Sequence, residues 1–597
     1  MGPWRIVPGP PRAAVFVSAA RCSTRLCPAV SRKEATPVTR NNPPRSSGRQ
    51  GRPGRTSGAK PGQVAHPRWS NRPARPEATD REGNTARSLP PVPGEQRPEK
   101  PAKAAPKDKA PKDKAAAKGQ GAAKGRAAAK GEGEGGRKPA RQGRKPGAVR
   151  PPKVLRPAQP VLRQPSGDPL VGERYEVEVG PVAHGGHCVA RHEGRVLFVR
   201  HALPGERVVV QVTDGTTTSR FLRADAVEVL EASKDRIEAP CPFSGPGRCG
   251  GCDWQHVTPG GQRKLKAAVL TEQLAKLAGL TPEEAHWDGS VEPVGGKLPA
   301  GEVPAWRTRV QYAVDEEGVI GLRKHRSHDV QPIDRCLIAA PGVAELGVES
   351  RDWTGVAAVE AIAATGSSDR QVILRPLPGE QLPLVELDRE TSIARIDDQD
   401  LFHRVHGRTF VRERAVGRTW RVSEGGFWQI HPEAPETLVD AVLTGLDPQW
   451  GESALDLYCG VGLFAGALAE RVGEEGAVLG IESGKQAVAD ARHNLAALEQ
   501  VRIECDKVET LLPRTGITST DLIVLDPPRA GAGRDTVAHL SSLEARRIAY
   551  VACDPAALAR DLAFFREGGY RPVSLRAFDL FPMTQHFECV AILEPVR

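Results

Sequence analysis

Between residues 171 and 230 apolar and polar positions alternate in short runs, RYEVEVG, RVLFVR, RVVVQV and DAVEVL, separated by Gly, Asp-Gly and Pro-Gly. A period of two broken by turn residues predicts half-buried strands, and several in close succession predict a small antiparallel barrel. The period changes at residues 262–280, QRKLKAAVLTEQLAKLAGL, where apolar residues recur at helical spacing and a Gly stands near the end. Residues 304–335 read as strands with Arg307, Arg309, Arg323, Lys324 and Arg326 interleaved. Those cations suit RNA phosphates or, equally, solvated strand edges. Beyond Arg418 strands alternate with helices. SALDLYC, GAVLGIE, RIEC, LIVLDPP, RIAYVAC, RPVSLRAF and CVAILEP are the strands, with AVADARHNLAAL and PAALARDLAFF among the helices. Such alternation predicts a doubly wound, mostly parallel sheet, whose ligands bind beyond the carboxyl ends of its strands.

Charge divides the chain differently. Residues 1–170 hold 37 Lys and Arg against 11 Asp and Glu, and the remainder 47 against 62, so a net of +26 precedes a body of −15. The chain's +11 therefore belongs to the tail. Residues 103–146 contain no aromatic and no branched apolar side chain. Such a segment cannot bury enough surface to offset the entropy of ordering its backbone, so the tail is expected to be disordered. It reads as an electrostatic tether to RNA, as a solvated extension, or as an over-extended reading frame, since Met583 is the only methionine after Met1. The run AAVFVSAA at 13–20 barely reaches signal-peptide length, and no apolar stretch is long enough to span a bilayer. A cytoplasmic protein without a membrane partner is expected.

Cysteine spacing matters more than the eleven cysteines as a number. Cys241, Cys249 and Cys252 fall within twelve residues, and Cys336 lies apart in DRCLIAAP. Four thiolates satisfy a zinc ion or an iron–sulfur cluster, and ligand count alone does not choose. The Gly-Gly before Cys252 permits the tight turn that clustered ligands need.

DLYCGVG at 456–462 ends the first strand of the alternating region, and Glu482 ends the second, twenty residues on. Glycines let the backbone approach a nucleotide, and an acid at the next strand end is placed for ribose hydroxyls. Nicotinamide enzymes share this pair. The Asp526-Pro-Pro after the fourth strand is what favours S-adenosylmethionine.

A further set of residues stands at strand ends: Arg529 after Asp526-Pro-Pro, Cys553 in RIAYVACDPAALARD, and Glu588 in FDLFPMTQHFECVAILEP. Carbon 5 of uracil is a poor nucleophile. A thiolate added to carbon 6 makes carbon 5 electron-rich, and after methyl transfer a base must remove the carbon-5 proton. A thiol at a helix N-terminus is expected to have a lowered pKa. Taken alone, Glu588 reads as a solvated glutamate, and Cys459, Cys505 and Cys589 read as ordinary core residues.

DLYCGVG, DPPRAG, YVACDPAALARD and DLFPMTQHFE resemble the bacterial uracil-C5 RNA methyltransferase family, which modifies tRNA or 23S rRNA. PVAHGGHCVARHEGRVLFVRHALPGERVVVQV resembles a TRAM domain, an RNA-binding barrel of the oligonucleotide-binding type, although His184, His187, Arg191 and Arg195 also suit a solvated face. With the four cysteines, the chain is most similar to the iron–sulfur branch acting on ribosomal RNA. The resemblance spans 171–597 and implies Cys553 as nucleophile and Glu588 as base. It further implies Gln429, Tyr458, Glu482 and Asp526 about S-adenosylmethionine, and Cys241, Cys249, Cys252 and Cys336 on a [4Fe–4S] cluster. The chain departs from the family in Ala552-Cys553-Asp554 (family Ser-Cys-Asn), in His431 and Leu463 (both often Asn), and in a Cys241–Cys249 spacer two residues longer.

The expected organisation is thus multidomain. A disordered basic tail over 1–168 precedes a TRAM barrel over 171–232, a central α+β domain with the cysteines over 238–415, and a Rossmann-like class I methyltransferase domain over 416–597. The expected substrate is RNA, rRNA rather than tRNA, and the expected state a monomer. Competing readings are the same reaction on tRNA, methylation of a base's exocyclic amine, and a catalytically silent RNA-binding or assembly factor.

Overall fold

The structure, a computed structural model, describes residues 166–296 and 302–596. The expected tail, up to residue 165, lies outside the described residues. Strands β1 (Arg174–Val182), β2 (Cys188–His192), β3 (Arg195–Arg200), β4 (Arg207–Asp214) and β5 (Phe221–Glu231) close a barrel in the order β1-β2-β3-β5-β4. Alternation dictates its filling: Val208, Val210 and Val212 of β4 point inward against Val177, Val179, Leu197 and Val199. Closure leaves no strand edge exposed.

The cysteine-bearing segment follows and leads into α1 (Pro259–Gln273). Thr258 caps this helix by accepting from the Gly261 amide, with Pro at the first helical position. A π-helical turn, Leu274–Ala278, extends it to Gly279, which takes the left-handed conformation that ends it. The chain next forms a two-residue strand, β6 (Glu292–Pro293).

Strands β7 (Arg309–Val314), β8 (Ile320–Arg323), β9 (Val330–Pro332), β10 (Val356–Ala363), β11 (Arg370–Pro376), β12 (Ser392–Ile396) and β13 (Phe402–His406) make a seven-stranded sheet in the order β13-β12-β11-β10-β7-β8-β9. A short helix, α2 (Pro341–Ala344), packs beside it. Strands β14 (Phe410–Ala415) and β15 (Arg418–Ser423) form a separate hairpin, whose turn contains the expected boundary at 415/416.

The C-terminal region contains α3 (Ala434–Leu446), β16 (Ser453–Leu457), α4 (Leu463–Val472), β17 (Ala477–Glu482), α5 (Lys485–Asn494), β18 (Val501–Cys505), α6 (Val508–Leu511), β19 (Leu522–Leu525), α7 (Arg534–Ser541), β20 (Arg547–Ala552), α8 (Pro555–Glu567), β21 (Tyr570–Asp579) and β22 (Glu588–Pro595). Its eight-stranded sheet runs β18-β17-β16-β19-β20-β22-β21-β6. The first five strands are parallel, as strand–helix alternation requires, and β22, which follows β21 with no helix between, is antiparallel to both its neighbours. Successive residues serve opposite faces. Ala454, Val478 and Val524 join one core with α3 and α4, whereas Leu455, Leu479 and Ile523 join another with α1, α7 and α8. Burial on both faces explains why these strands are continuous apolar runs. Among the described residues no helix is long and apolar enough to cross a membrane.

Candidate active site

The parallel strands end on one side of the sheet, and there the chain turns sharply. Tyr458, directly after β16, has φ +64°, Gly460 +53° and Gly462 +94°. At Gly462 a Cβ would also lie 2.7 Å from Leu495, so glycine answers both conformation and space. The amides of Tyr458 and Cys459 donate to the Ile481 carbonyl at 2.9 and 3.2 Å, tying the loop to β17. Asp456 is fully buried, and one carboxylate oxygen accepts from the Ala465 amide at 2.7 Å. Its other oxygen has no partner, and burial pushes its pKa well above the ordinary range. Glu482, closing β17, accepts from the Gly460 amide at 3.2 Å and the Gly484 amide at 2.6 Å.

A cavity of about 1230 Å³ opens over these strand ends. Gln429, Tyr458, Glu482, Asp526, Cys553 and Glu588 all line it. Six residues spread over 160 positions of sequence thus share one surface. Gln429 reaches it from the segment after β15. Asp526 follows β19, Cys553 joins β20 to α8, and Glu588 begins β22.

Cys553 is half-buried, and its thiol is pushed up to about 12, first by burial and then by Glu588 and Asp526. This corrects the expectation of a lowered thiol pKa. The first turn of α8 is already satisfied, because Asp554 accepts from the Ala556 and Ala557 amides at 3.0 and 2.8 Å. Burial also raises Asp526 to about 7 and holds Glu588 well above the usual carboxylate range, each carboxylate disfavouring the charge of its neighbours. One Glu588 oxygen is buried without a partner. Arg529 is the group that opposes these shifts, lowering both Cys553 and Glu588.

Sequence reasoning missed what holds Glu588. The loop before it is pinned from the cysteine segment and α1. The Met583 carbonyl accepts from the Asp253 and Trp254 amides, both at 3.0 Å, and the Met583 amide donates to Gln262 at 2.7 Å. Lys266, wholly buried, donates to Asp579 at 2.5 Å and to the Phe581 carbonyl at 3.1 Å. The signal was present. Gln262 and Lys266 lie one helical turn apart on the face that also carries Val269 and Leu270.

Cys241, Cys249, Cys252 and Cys336 line a second, small cavity, and none is in a disulfide. Arg307 lines both cavities. Cys459 and Cys589 are buried as expected of core residues, but Cys505 is exposed at the end of the edge strand β18.

The model of the TRAM domain matches residues 169–227, and that described as tRNA (Uracil-5-)-methyltransferase matches 516–596. An uncharacterised RNA methyltransferase of Streptomyces coelicolor is 71% identical over 449 residues, 74% of this chain and 98% of that one. A 23S rRNA (uracil(1939)-C(5))-methyltransferase of a Shewanella species is 30% identical over 466 residues, 73% of this chain and 99% of its own. The chain belongs to the RNA uracil-C5 methyltransferase family. As a member of that family it is an S-adenosylmethionine-dependent enzyme with a TRAM barrel and a class I methyltransferase fold. The crystal structure of the Pyrococcus abyssi tRNA (uracil-54, C5)-methyltransferase with S-adenosyl-L-homocysteine shares the fold, with a TM-score of 0.52 at 22% identity. It covers 70% of this chain and all of its own.

Proposed function

We propose that this RNA uracil-C5 methyltransferase acts on a uridine of 23S rRNA, with Cys553 as nucleophile and Glu588 as base. The observation that carries the reading is the convergence of Cys553, Glu588 and the four expected cofactor residues on one cavity. The rRNA assignment is supported by the Shewanella relative, which matches over nearly its whole length.

The Cys553 thiol loses its proton to solvent in the open cavity, its sulfur bonds to carbon 6 of a uracil turned out of its stack, and the carbon 5–carbon 6 double bond becomes an enolate. S-Adenosylmethionine, when bound, supplies the electrophilic methyl group to carbon 5. Glu482 and the Tyr458–Gly462 loop would hold the ribose side of that cofactor, with Gln429 and Asp526 as further residues that would contact it. Glu588 then takes the carbon-5 proton, the double bond re-forms, and the sulfur leaves carbon 6. Arg529 favours the charged states of both Cys553 and Glu588, which the buried site otherwise opposes.

The four cysteines suit a [4Fe–4S] cluster by donor chemistry, since four free thiols border one cavity. Among the described residues no three His, Cys, Asp or Glu side chains are grouped tightly enough to hold a metal, so donor chemistry alone supports the cluster and does not separate it from zinc. Cys241, Cys249, Cys252 and Cys336 would hold the cluster as a brace for the segment that pins Met583; no step of the reaction passes through it.

RNA carrying 5-fluorouridine tests the chemistry, because a fluorine at carbon 5 cannot leave as a proton. The wild type is expected to form a denaturant-stable protein–RNA adduct and Cys553→Ala none. An adduct that persists in Cys553→Ala would remove the nucleophile from this reading.

A further inference from the structure

A third cavity, of about 580 Å³, lies where the barrel meets the cysteine segment and the β8–β9 turn. Arg200 and Arg223 border it from the barrel, Arg248 from the Cys241–Cys249 spacer, and Lys324 and Arg326 from the turn. Its two carboxylates do not balance these five cations. Asp214 pairs with Arg223 at 3.0 Å, and burial raises Asp225, which also accepts from the Gly247 amide. Arg200 lies 3.5 Å from Asp253 and Lys324 3.9 Å from Asp329, both loose contacts. Arg248 and Arg326 have no carboxylate partner among the described residues, and both are exposed. Arg223 Nε is buried with no hydrogen-bond partner, and Arg200 Nη2, also buried, has only the 3.5 Å approach to Asp253. Unpaired donors in a cationic cleft indicate an anion that completes them. His187 and His325, pushed down to about 4 by burial and then by the surrounding arginines, are neutral at pH 7 and add no charge to the cleft.

Two observations link the cleft to the chemistry. His325 lines both this cavity and the catalytic one, so the two adjoin at that residue. The loop that carries Arg248 is also fastened to the turn that carries Arg326. The Gly250 amide donates to the Arg323 carbonyl at 3.0 Å, and Cys249 bridges Lys324. The backbone segments that carry Arg248 and Arg326 are therefore fixed relative to each other.

We infer that this cleft is a phosphate-binding subsite for the RNA strand leading into the catalytic cavity, with Arg248 and Arg326 as its free cations. The inference rests on RNA being the substrate and deepens that reading. A strand whose target base is turned out needs its flanking backbone fixed, and phosphate contacts fix position without reading sequence. The subsite therefore sets register and affinity rather than base choice.

The test is fluorescence anisotropy of the full chain with a labelled 20-nucleotide oligouridine across a salt series. Removing both free cations (R248A with R326A) is expected to weaken binding by roughly tenfold near 0.1 M salt. The slope of log affinity against log salt should fall by about 0.7 for each phosphate that is no longer neutralised. Both side chains are exposed, so folding should be unaffected, and a thermal melt checks it. Arg571→Ala, which removes an exposed cation on β21, is the control and should leave affinity and slope nearly unchanged. In turnover on RNA the double variant should raise KM while keeping kcat within about twofold. Unchanged affinity and slope in the double variant, or an equal loss in Arg571→Ala, would overturn the subsite. Binding is read without turnover, so a wild type that binds oligouridine but forms no 5-methyluridine overturns the proposed function and not this inference.

Discussion

His184, in the turn after β1 of the barrel, lies 3.0 Å from a carboxylate oxygen of Asp554, the residue that follows Cys553 and caps α8. The contact joins the TRAM barrel directly to the turn that carries Cys553, across 370 residues of sequence. The hydrogen bond to Asp554 raises the His184 pKa. Burial pushes Asp554 up, but His184 and the two α8 amides outweigh it and hold it low. The link is therefore full below the ordinary histidine value and fades as pH rises through His184's elevated one. It fades again at acid pH as Asp554 protonates. The histidine side chain is 42% exposed, so solvent screening keeps the pair under about 1 kcal/mol. The difference in melting temperature between the wild type and His184→Gln should be largest near pH 6 and shrink by pH 9. A difference independent of pH would show that no charge pair forms.

Glu588→Gln separates the base from the nucleophile. Addition and methyl transfer need only the thiol, whereas release needs the carbon-5 proton removed. The variant should lose roughly 100- to 10,000-fold in turnover and accumulate a methylated covalent adduct, visible by intact mass. Rapid turnover without an adduct would assign the base elsewhere.

Arg529 lowers both Cys553 and Glu588 in a site where burial raises them. Arg529→Ala should therefore move the acid limb of the kcat/KM profile to higher pH by about one unit and lower the rate below it. Arg529→Lys should restore part of the shift. An unshifted profile would leave Arg529 a contact for RNA alone.

Gly462 combines φ +94° with a neighbour 2.7 Å from any Cβ. Gly462→Ala should cost about 1–3 kcal/mol in stability and weaken S-adenosylmethionine binding, read by melting and by calorimetry. An unaffected melting temperature would mean that the loop relaxes without strain.

How far the sequence alone reaches depends on the range of the interaction. Four of the five barrel strands and seven of the eight strands of the C-terminal sheet were legible, because period-two alternation and buried apolar runs are local signals. Of the candidate residues that share the cavity, Tyr458, Glu482, Asp526, Cys553 and Glu588 flank strand ends, where doubly wound sheets place their ligands, whereas Gln429, six residues beyond β15, came only from the family resemblance. The tertiary partners were not. Nothing near Glu292 announces that it pairs with Phe578 and extends the sheet, and nothing near His184 announces Asp554. The Cys553 thiol was misjudged for the same reason. The helix end is visible in sequence, but the burial and the two carboxylates that outweigh it are brought there by the fold.

Cys553-dependent methylation of 23S rRNA is open to a decisive test by nucleoside mass spectrometry of tRNA and 23S rRNA. The RNAs come from cells lacking the gene and from the same cells carrying either wild type or Cys553→Ala. Loss of 5-methyluridine from 23S rRNA alone is expected, restored by the wild type and not by Cys553→Ala. Loss from tRNA instead would contradict the substrate, and restoration by Cys553→Ala would contradict the mechanism.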